Sequence, residues 1–236
     1  GVEIAGLHFI GPTTPDTYSR AVTIGKGSSG NLIGGSRFRH YYGGAVVVNG
    51  TNNTIRDNVF EEVNNSPPES GAHYGSIHLF KGEGNVVIGN EIRDFDFSGI
   101  SVYASNRNLI ADNEIVARAG FPSKSMGIYA LAGSSHNLIE RNRIVGLRNE
   151  CIVLISNNAT GDVTGNVVRD NHVSDCVYAG ISLQSNGRYE VRGNHIEDNR
   201  IDTPGLRDRH MDHGILIVGA EENRIVGNDI RSDGRR

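Results

Sequence analysis

The chain is built on a repeated pattern: asparagine, an apolar residue two positions later, asparagine five positions later and an apolar residue seven positions later. Residues 108–115 (NLIADNEI) show the pattern most clearly, and residues 85–92, 137–144 and 223–230 are near-copies. A fixed repeat that runs from end to end indicates stacked units in one elongated domain. The fold therefore has to be derived from this pattern.

Nine copies of the pattern align. The apolar residues two positions into each copy are Ile4, Ile33, Ile55, Val87, Ile110, Ile139, Val168, Val191 and Ile225, and those seven positions in are Phe9, Phe38, Phe60, Ile92, Ile115, Ile144, Val173, Ile196 and Ile230. The fifth position is occupied by Leu7, Ser36, Asn58, Asn90, Asn113, Asn142, Asn171, Asn194 and Asn228. This spacing predicts two short strands, each with one inward anchor, joined by a tight corner.

A third apolar segment precedes each copy from the second onward, and its starting positions are 23 to 34 residues apart. A unit of 23 residues is too short for a two-helix repeat and suits one three-strand coil. Glycine is abundant, at 31 residues, and tryptophan is absent, which favours short strands with tight turns. The sequence predicts an all-β fold, a parallel β-helix of about eight to nine coils that forms one domain over residues 1–236.

Stacked coils explain the asparagines, because each corner amide can hydrogen-bond to the corners above and below. Cys151 and Cys176 lie about one repeat apart, and we expect two buried thiols, with a disulfide as the alternative. The chain begins in the middle of a repeat, so we expect a natural N-terminal cap to be missing. Open ends favour end-to-end or side-by-side self-association.

The repeats resemble the right-handed parallel β-helix proteins of the pectate-lyase-like superfamily along essentially the whole chain. The resemblance implies an extracellular, cell-surface or periplasmic location and a polysaccharide as substrate or ligand. It also implies a groove over the first strand of each coil, walled by loops between the third strand and the next first strand. The net charge of −4 gives no case for nucleic acid, and no apolar run is long enough to insert into a membrane.

The longest insertions fall where the resemblance implies groove-walling loops, at residues 61–75, 116–126, 174–179 and 202–213, whereas residues 157–162 lie on the other side of the first strand. Alternation predicts two outward columns along the first strands. The first is Thr23, Val46, His78, Ser101, Tyr129, Val153, Ser182 and Leu216, and the second is Gly25, Val48, Phe80, Tyr103, Leu131, Ile155, Gln184 and Val218.

The middle coils therefore bring aromatic, imidazole and cationic side chains to one face. Aromatic faces suit sugar rings, and lysine or arginine suits a sugar carboxylate. The predicted substrate-binding residues are Phe80, Lys81, Arg107, His73, Tyr74 and Lys124. For proton transfer we predict His78 and Tyr129, with Tyr103 as the next candidate and Glu150 as a weaker acid–base group.

No carboxylate occupies an outward first-strand position, which argues against a calcium-dependent lyase and against a hydrolase with a carboxyl pair. The leading hypothesis is a metal-free polysaccharide lyase or C5-epimerase for an acidic glycan. The alternative is a non-catalytic module, either glycan-binding or structural, as in tailspike-like fibres. No cofactor is otherwise expected, but a divalent cation could bind near Asp208, His210, Asp212 and His213.

Overall fold

The computed structural model describes residues 1–12, 19–63, 74–117, 125–156, 161–203 and 213–232. Within these ranges the chain folds into three long parallel sheets, and each coil contributes one strand to each sheet. The predicted parallel β-helix is therefore confirmed. No helix in the described ranges is long and apolar enough to cross a membrane.

The second-strand sheet holds the first half of each repeat. Its strands are β1 (Glu3–Ala5), β4 (Leu32–Gly34), β7 (Thr54–Arg56), β10 (Val86–Ile88), β13 (Leu109–Ala111), β16 (Leu138–Glu140), β20 (Val167–Arg169), β24 (His195–Glu197) and β27 (Arg224–Val226). The third-strand sheet holds the second half. Its strands are β2 (His8–Ile10), β5 (Arg37–Arg39), β8 (Val59–Glu61), β11 (Glu91–Arg93), β14 (Glu114–Val116), β17 (Arg143–Val145), β21 (His172–Ser174), β25 (Arg200–Thr203) and β28 (Asp229–Ser232).

The first-strand sheet is built from the apolar segment that precedes each repeat. Its strands are β3 (Val22–Ile24), β6 (Val46–Val48), β9 (Gly75–Phe80), β12 (Ser98–Tyr103), β15 (Met126–Leu131), β18 (Ile152–Ser156), β22 (Ala179–Ser185) and β26 (His213–Val218). A small extra sheet pairs β19 (Val163–Thr164) with β23 (Val191–Arg192). The core lies between the three sheets and is filled by one inward side chain per short strand. Phe9, Phe38 and Phe60 stack there with ring centroids 4.8 Å apart.

Two asparagine ladders run along the axis, whereas the repeat predicted stacking of the corner asparagines only. In the predicted corner column, Asn90 Nδ2 donates to Asn113 Oδ1 at 3.0 Å, and Asn113 Nδ2 donates to Asn142 Oδ1 at 2.9 Å. The first asparagine of each repeat forms a second ladder, in which Asn108 Nδ2 donates to Asn137 Oδ1 at 2.8 Å. Both ladders satisfy amides that would otherwise be buried without partners.

The residue before each corner asparagine has a left-handed backbone, for example Asp112 at φ 55° and Gly89 at φ 65°. Aspartate and glycine tolerate this conformation better than most residues. This requirement explains why Asp-Asn and Gly-Asn recur at the corner.

One predicted repeat was placed in the wrong register. The alignment centred on Val191, Asn194 and Ile196, but the third-strand sheet pairs Val173 with Ile201, and the second-strand sheet pairs Val168 with Ile196. The copy thus begins at Asn194, five residues later than predicted. The earlier segment satisfied part of the pattern, but Val191 belongs to the extra sheet.

The outward columns were also wrong in one strand. Val46 pairs with Ile77 and Val48 pairs with Leu79, so both point into the core, and Val47 lies in register with His78. A shift of one residue moves every side chain of a strand to the opposite face. The run of consecutive valines gave no polar residue from which the alternation could be read.

The prediction of two buried thiols was wrong as well, because Cys151 and Cys176 form a disulfide with their Cα atoms 5.7 Å apart. The spacing of one coil brings the two cysteines onto adjacent coils, and both are almost fully buried. The bond ties the start of β18 to the segment before β22.

Candidate functional site

Strand register places the predicted site residues in two adjacent rows on the outer face of the first-strand sheet. Ser101 pairs with His78 on one side and with Tyr129 on the other, which makes one row. Tyr103 pairs with Phe80 and with Leu131, which makes the second. The alternation predicted for β9, β12 and β15 is therefore confirmed.

His78 is buried, with an exposed fraction of 3%. Its Nδ1 atom lies 2.5 Å from Ser101 Oγ, which also accepts a hydrogen bond of 2.9 Å from the backbone N–H of Gly75. The Tyr74 ring meets the imidazole edge-on at 4.8 Å, and the Phe80 ring lies at 5.7 Å. Burial, with a smaller effect of the positive charge of Arg20, lowers the pKa of His78 to about 3. The imidazole is therefore neutral near pH 7 and can form hydrogen bonds, but it is a weak base.

Arg20 reaches this cluster from the segment before β3, and the sequence analysis missed it. Its guanidinium carbon lies 5.0 Å from the centre of the Tyr74 ring, and the residue is exposed. Among the described residues, no carboxylate forms an ion pair with Arg20. No motif marks this arginine, because its long side chain crosses a neighbouring coil to reach the site.

Phe80 and Tyr103 form a half-buried aromatic surface beside His78. Their ring centroids are 5.4 Å apart at an interplanar angle of 30°, and Lys81 Nζ lies 5.1 Å from the Phe80 centroid. Flat, partly exposed rings next to a cation suit the apolar face of a sugar that carries a carboxylate.

Tyr129 lies half-buried at the far end of the first row, where the Phe97 ring meets it edge-on at 5.6 Å. Burial and the negative charge of Glu150 raise the pKa of Tyr129 to about 12. The phenol is thus protonated near pH 7 and can donate a hydrogen bond.

Glu150 has an exposed fraction of 5%, and burial raises its pKa. Gln184 Nε2 donates to Glu150 Oε1 at 2.9 Å and lies 3.0 Å from Ser182 Oγ. Sequence reasoning named Glu150 only as a weaker candidate and did not select Gln184 for the site. Both residues lie on the two coils that follow Tyr129, and Gln184 is in register with the second row through Ile155.

The structure does not bring every predicted residue into this cluster. Arg107 lies at the corner after β12 and pairs with Glu83 at 2.5 Å, so its charge is already partnered. His73 and Lys124 lie outside the described residues, as do Asp208, His210 and Asp212. His213 is described, and its ring lies 6.4 Å from that of Tyr178.

The described residues offer no ligand set for a metal. They contain no group of three or more histidine, cysteine, aspartate or glutamate side chains that could hold an ion. Both cysteines are in the disulfide, and His78 already contacts Ser101 through Nδ1. Imidazole, thiolate and thioether groups are the usual ligands of copper, and the described part of the chain does not gather them. The cation predicted near Asp208 and His213 stays a prediction.

A family model described as periplasmic copper-binding protein (NosD) matches residues 13–203 and 123–234, which together cover most of the chain. The overlap of the two matches reflects the repeat. No curated protein matches.

Two solved structures are similar to the chain at low sequence identity. The catalytic domain of a GH87 alpha-1,3-glucanase in complex with nigerose is 12% identical, with a TM-score of 0.34, over 98% of this chain and 63% of that one. The GH136 lacto-N-biosidase from Eubacterium ramulus is 13% identical, with a TM-score of 0.26, over 95% of this chain and 48% of that one. The chain thus spans less than two thirds of either structure.

Proposed function

The chain belongs to the NosD family of periplasmic copper-binding proteins, and we propose that it is a carbohydrate-active member that acts on an acidic glycan over its first-strand sheet. The observation that carries the proposal is the row His78, Ser101 and Tyr129 beside the stacked rings of Phe80 and Tyr103. An extended row of this kind suits a chain-like ligand better than a small molecule. The described residues do not gather a copper site, so no step of the proposal involves the metal.

The proposed binding mode places a sugar ring on Phe80 and Tyr103 and its carboxylate near the cations at that end. Arg20 is exposed over Tyr74, and Lys81 is exposed over Phe80. A guanidinium group can bind a carboxylate through two parallel hydrogen bonds. Arg20 thus takes the role that the sequence analysis gave to Arg107.

The proposed chemistry is β-elimination or C5 epimerisation of a uronate. His78, which lies beside the ring surface and is neutral near pH 7, removes the proton at C5. In the lyase, the electron pair forms the C4–C5 double bond, the C4–O bond breaks, and Tyr129 donates its proton to the leaving oxygen. In the epimerase, a proton returns to C5 from the opposite face. The low pKa of His78 makes it a weak base, so Arg20 or Lys81 has to neutralise the sugar carboxylate and thereby make the C5 proton more acidic.

The second candidate is a glycan-binding module without catalysis. The burial of His78 favours it, as do pKa values of about 3 for His78 and about 12 for Tyr129, because neither group exchanges its proton readily near pH 7. The same face would then bind sugar through its rings and hydrogen bonds only.

The test is incubation with polyuronates and glycosaminoglycans. Lyase activity is followed by ultraviolet absorbance of the unsaturated product, epimerase activity by deuterium uptake at C5, and binding by calorimetry. Tyr129→Phe should abolish turnover and retain binding, whereas the control Tyr178→Phe should change neither. Binding without turnover would select the non-catalytic module, and the absence of both would contradict the proposed function.

The divalent cation near Asp208, His210, Asp212 and His213 remains part of the proposal. Copper and calcium titrations of the wild-type protein and of a His210→Ala/His213→Ala variant test it. A cation that binds both proteins equally would contradict this location.

A further inference from the structure

Glu150 belongs to a polar group that lies beyond Tyr129 on the outer face of the first-strand sheet. Strand register places Val153 between Tyr129 on one neighbouring strand and Ser182 on the other, and Glu150 lies two residues before β18 begins. Gln184 Nε2 holds one oxygen of the carboxylate at 2.9 Å and also lies 3.0 Å from Ser182 Oγ. The group thus combines a carboxylate, an amide, a hydroxyl and a protonated phenol.

The effects on the Glu150 pKa describe its electrostatic surroundings. Burial raises the pKa, and hydrogen bonds from the backbone and from Gln184 lower it by less. A carboxylate in such a place readily accepts hydrogen bonds from hydroxyl groups, because these compensate its lost hydration. A second carboxylate beside Glu150 could not donate hydrogen bonds to it, so the lost hydration of Glu150 would not be compensated.

The cations of this face lie at the other end. Arg20 and Lys81 surround the rings of Tyr74 and Phe80, at the level of β9. Glu150 lies beside β18, three strands further along, which is roughly 14 Å at the usual strand spacing. The charge of the face therefore changes sign along the axis.

We propose that Glu150, Gln184 and Ser182 form a subsite for an uncharged, hydroxyl-bearing sugar, so that the ligand contains both acidic and neutral residues and is not a polyuronate. This proposal rests on the proposed function, since it concerns the same face. Sugar hydroxyls donate to Glu150 and accept from Tyr129. A uronate at this subsite would place two carboxylates together, and this like-charge contact weakens its binding.

The experiment compares oligosaccharides of polygalacturonate with those of an alternating glucuronate and N-acetylglucosamine chain, by calorimetry at neutral pH. The wild-type protein should bind the alternating oligosaccharide at least about tenfold more tightly. Glu150→Gln should reduce this preference about tenfold, mainly by stronger binding of polygalacturonate. The matched control is Glu114→Gln, which removes an exposed carboxylate on the third-strand sheet.

The outcomes separate this inference from the proposed function. If the wild-type protein binds both oligosaccharides equally, or if Glu150→Gln leaves their ratio unchanged, the neutral subsite is wrong while acidic-glycan binding stands. If neither binds, the proposed function fails and the subsite with it. Gln184→Leu provides a second variant, because it removes the amide and leaves the charge of Glu150. Gln184→Leu should weaken binding of the alternating oligosaccharide. The variant should still bind polygalacturonate less tightly than the alternating oligosaccharide.

Discussion

The imidazole of His78 and the hydroxyl of Ser101 lie 2.5 Å apart across neighbouring first strands, and both residues are buried. Because burial lowers the pKa of His78 from 6.5 to about 3, the unfolded chain takes up a proton before the folded protein does. The contribution of His78 to the free energy of unfolding is fully present above pH 6.5. It is lost progressively as the pH falls from 6.5 towards 3. Between pH 6.5 and 5 the loss should be about 2 kcal/mol.

Urea unfolding at a series of pH values measures this loss. His78→Gln should flatten the dependence between pH 6.5 and 5, because the amide can still bond to Ser101 but does not titrate. His195→Gln is the control, since His195 is exposed on β24 and its replacement should leave the curve unchanged. An equally steep curve for His78→Gln would contradict this origin of the pH dependence.

The asparagine ladders predict a strong dependence on position. Asn113 accepts from the backbone and side chain of Asn90 at 3.0 Å and donates to Val87 O and Asn142 Oδ1. Asn113→Ala leaves several buried polar groups without partners, at about 1–3 kcal/mol each. We expect a loss of about 4 kcal/mol in the free energy of unfolding, measured by chemical denaturation.

The matched control lies at the end of the same ladder. Asn228 accepts from Asn199 but is only partly buried, so water can replace the lost bonds. Asn228→Ala should cost about 1 kcal/mol. Equal losses for the two variants would mean that the ladder does not carry the stability assigned to it.

The fold could be predicted because its determinants repeat. The inward apolar residues recur in each coil and the corner asparagines in each coil from the third onward, so one misplaced copy at Val191 did not obscure the others. The outward-facing side chains were predicted wrongly in a strand that has no polar residues to mark its outer face. Val46 and Val48 were assigned to that face, but both are buried. Spacing likewise placed Cys151 and Cys176 on adjacent coils but could not show that their side chains meet.

The candidate site was predictable only in part, for a related reason. His78, Phe80, Tyr103 and Tyr129 follow from alternation along strands. Arg20 does not, because it reaches Tyr74 from another coil through a long flexible side chain, and no periodicity encodes such a contact.

The disulfide between Cys151 and Cys176 closes a segment with a sequence separation of 25 residues. Restricting the unfolded chain by a loop of this length should contribute about 3 kcal/mol. Both cysteines are almost fully buried, so reductant should act only after partial unfolding. Thermal unfolding with and without reductant measures the effect. A Cys151→Ala/Cys176→Ala variant should be less stable than wild type and insensitive to reductant, and full native-state alkylation of wild type would contradict the bond.

The pair Tyr129 and Glu150 predicts two linked effects of one substitution. Burial is the main cause and the Glu150 charge the second cause of the Tyr129 pKa of about 12, so Glu150→Gln should lower that pKa but leave it above 10. Phenolate absorbance during an alkaline titration measures the shift. Adding Tyr178→Phe to the Glu150→Gln variant identifies the part of the phenolate absorbance that comes from another tyrosine, Tyr178.

The second effect concerns stability. Since burial raises the Glu150 pKa, the folded protein holds this proton more tightly than the unfolded chain. The associated stability is present below the unfolded pKa of 4.5 and is lost as the pH rises through the folded pKa. Glu150→Gln cannot undergo this loss, so the variant should gain stability relative to wild type as the pH rises from 4 to 7. A constant difference over that range would show that Glu150 is not held in an environment that disfavours its charged form.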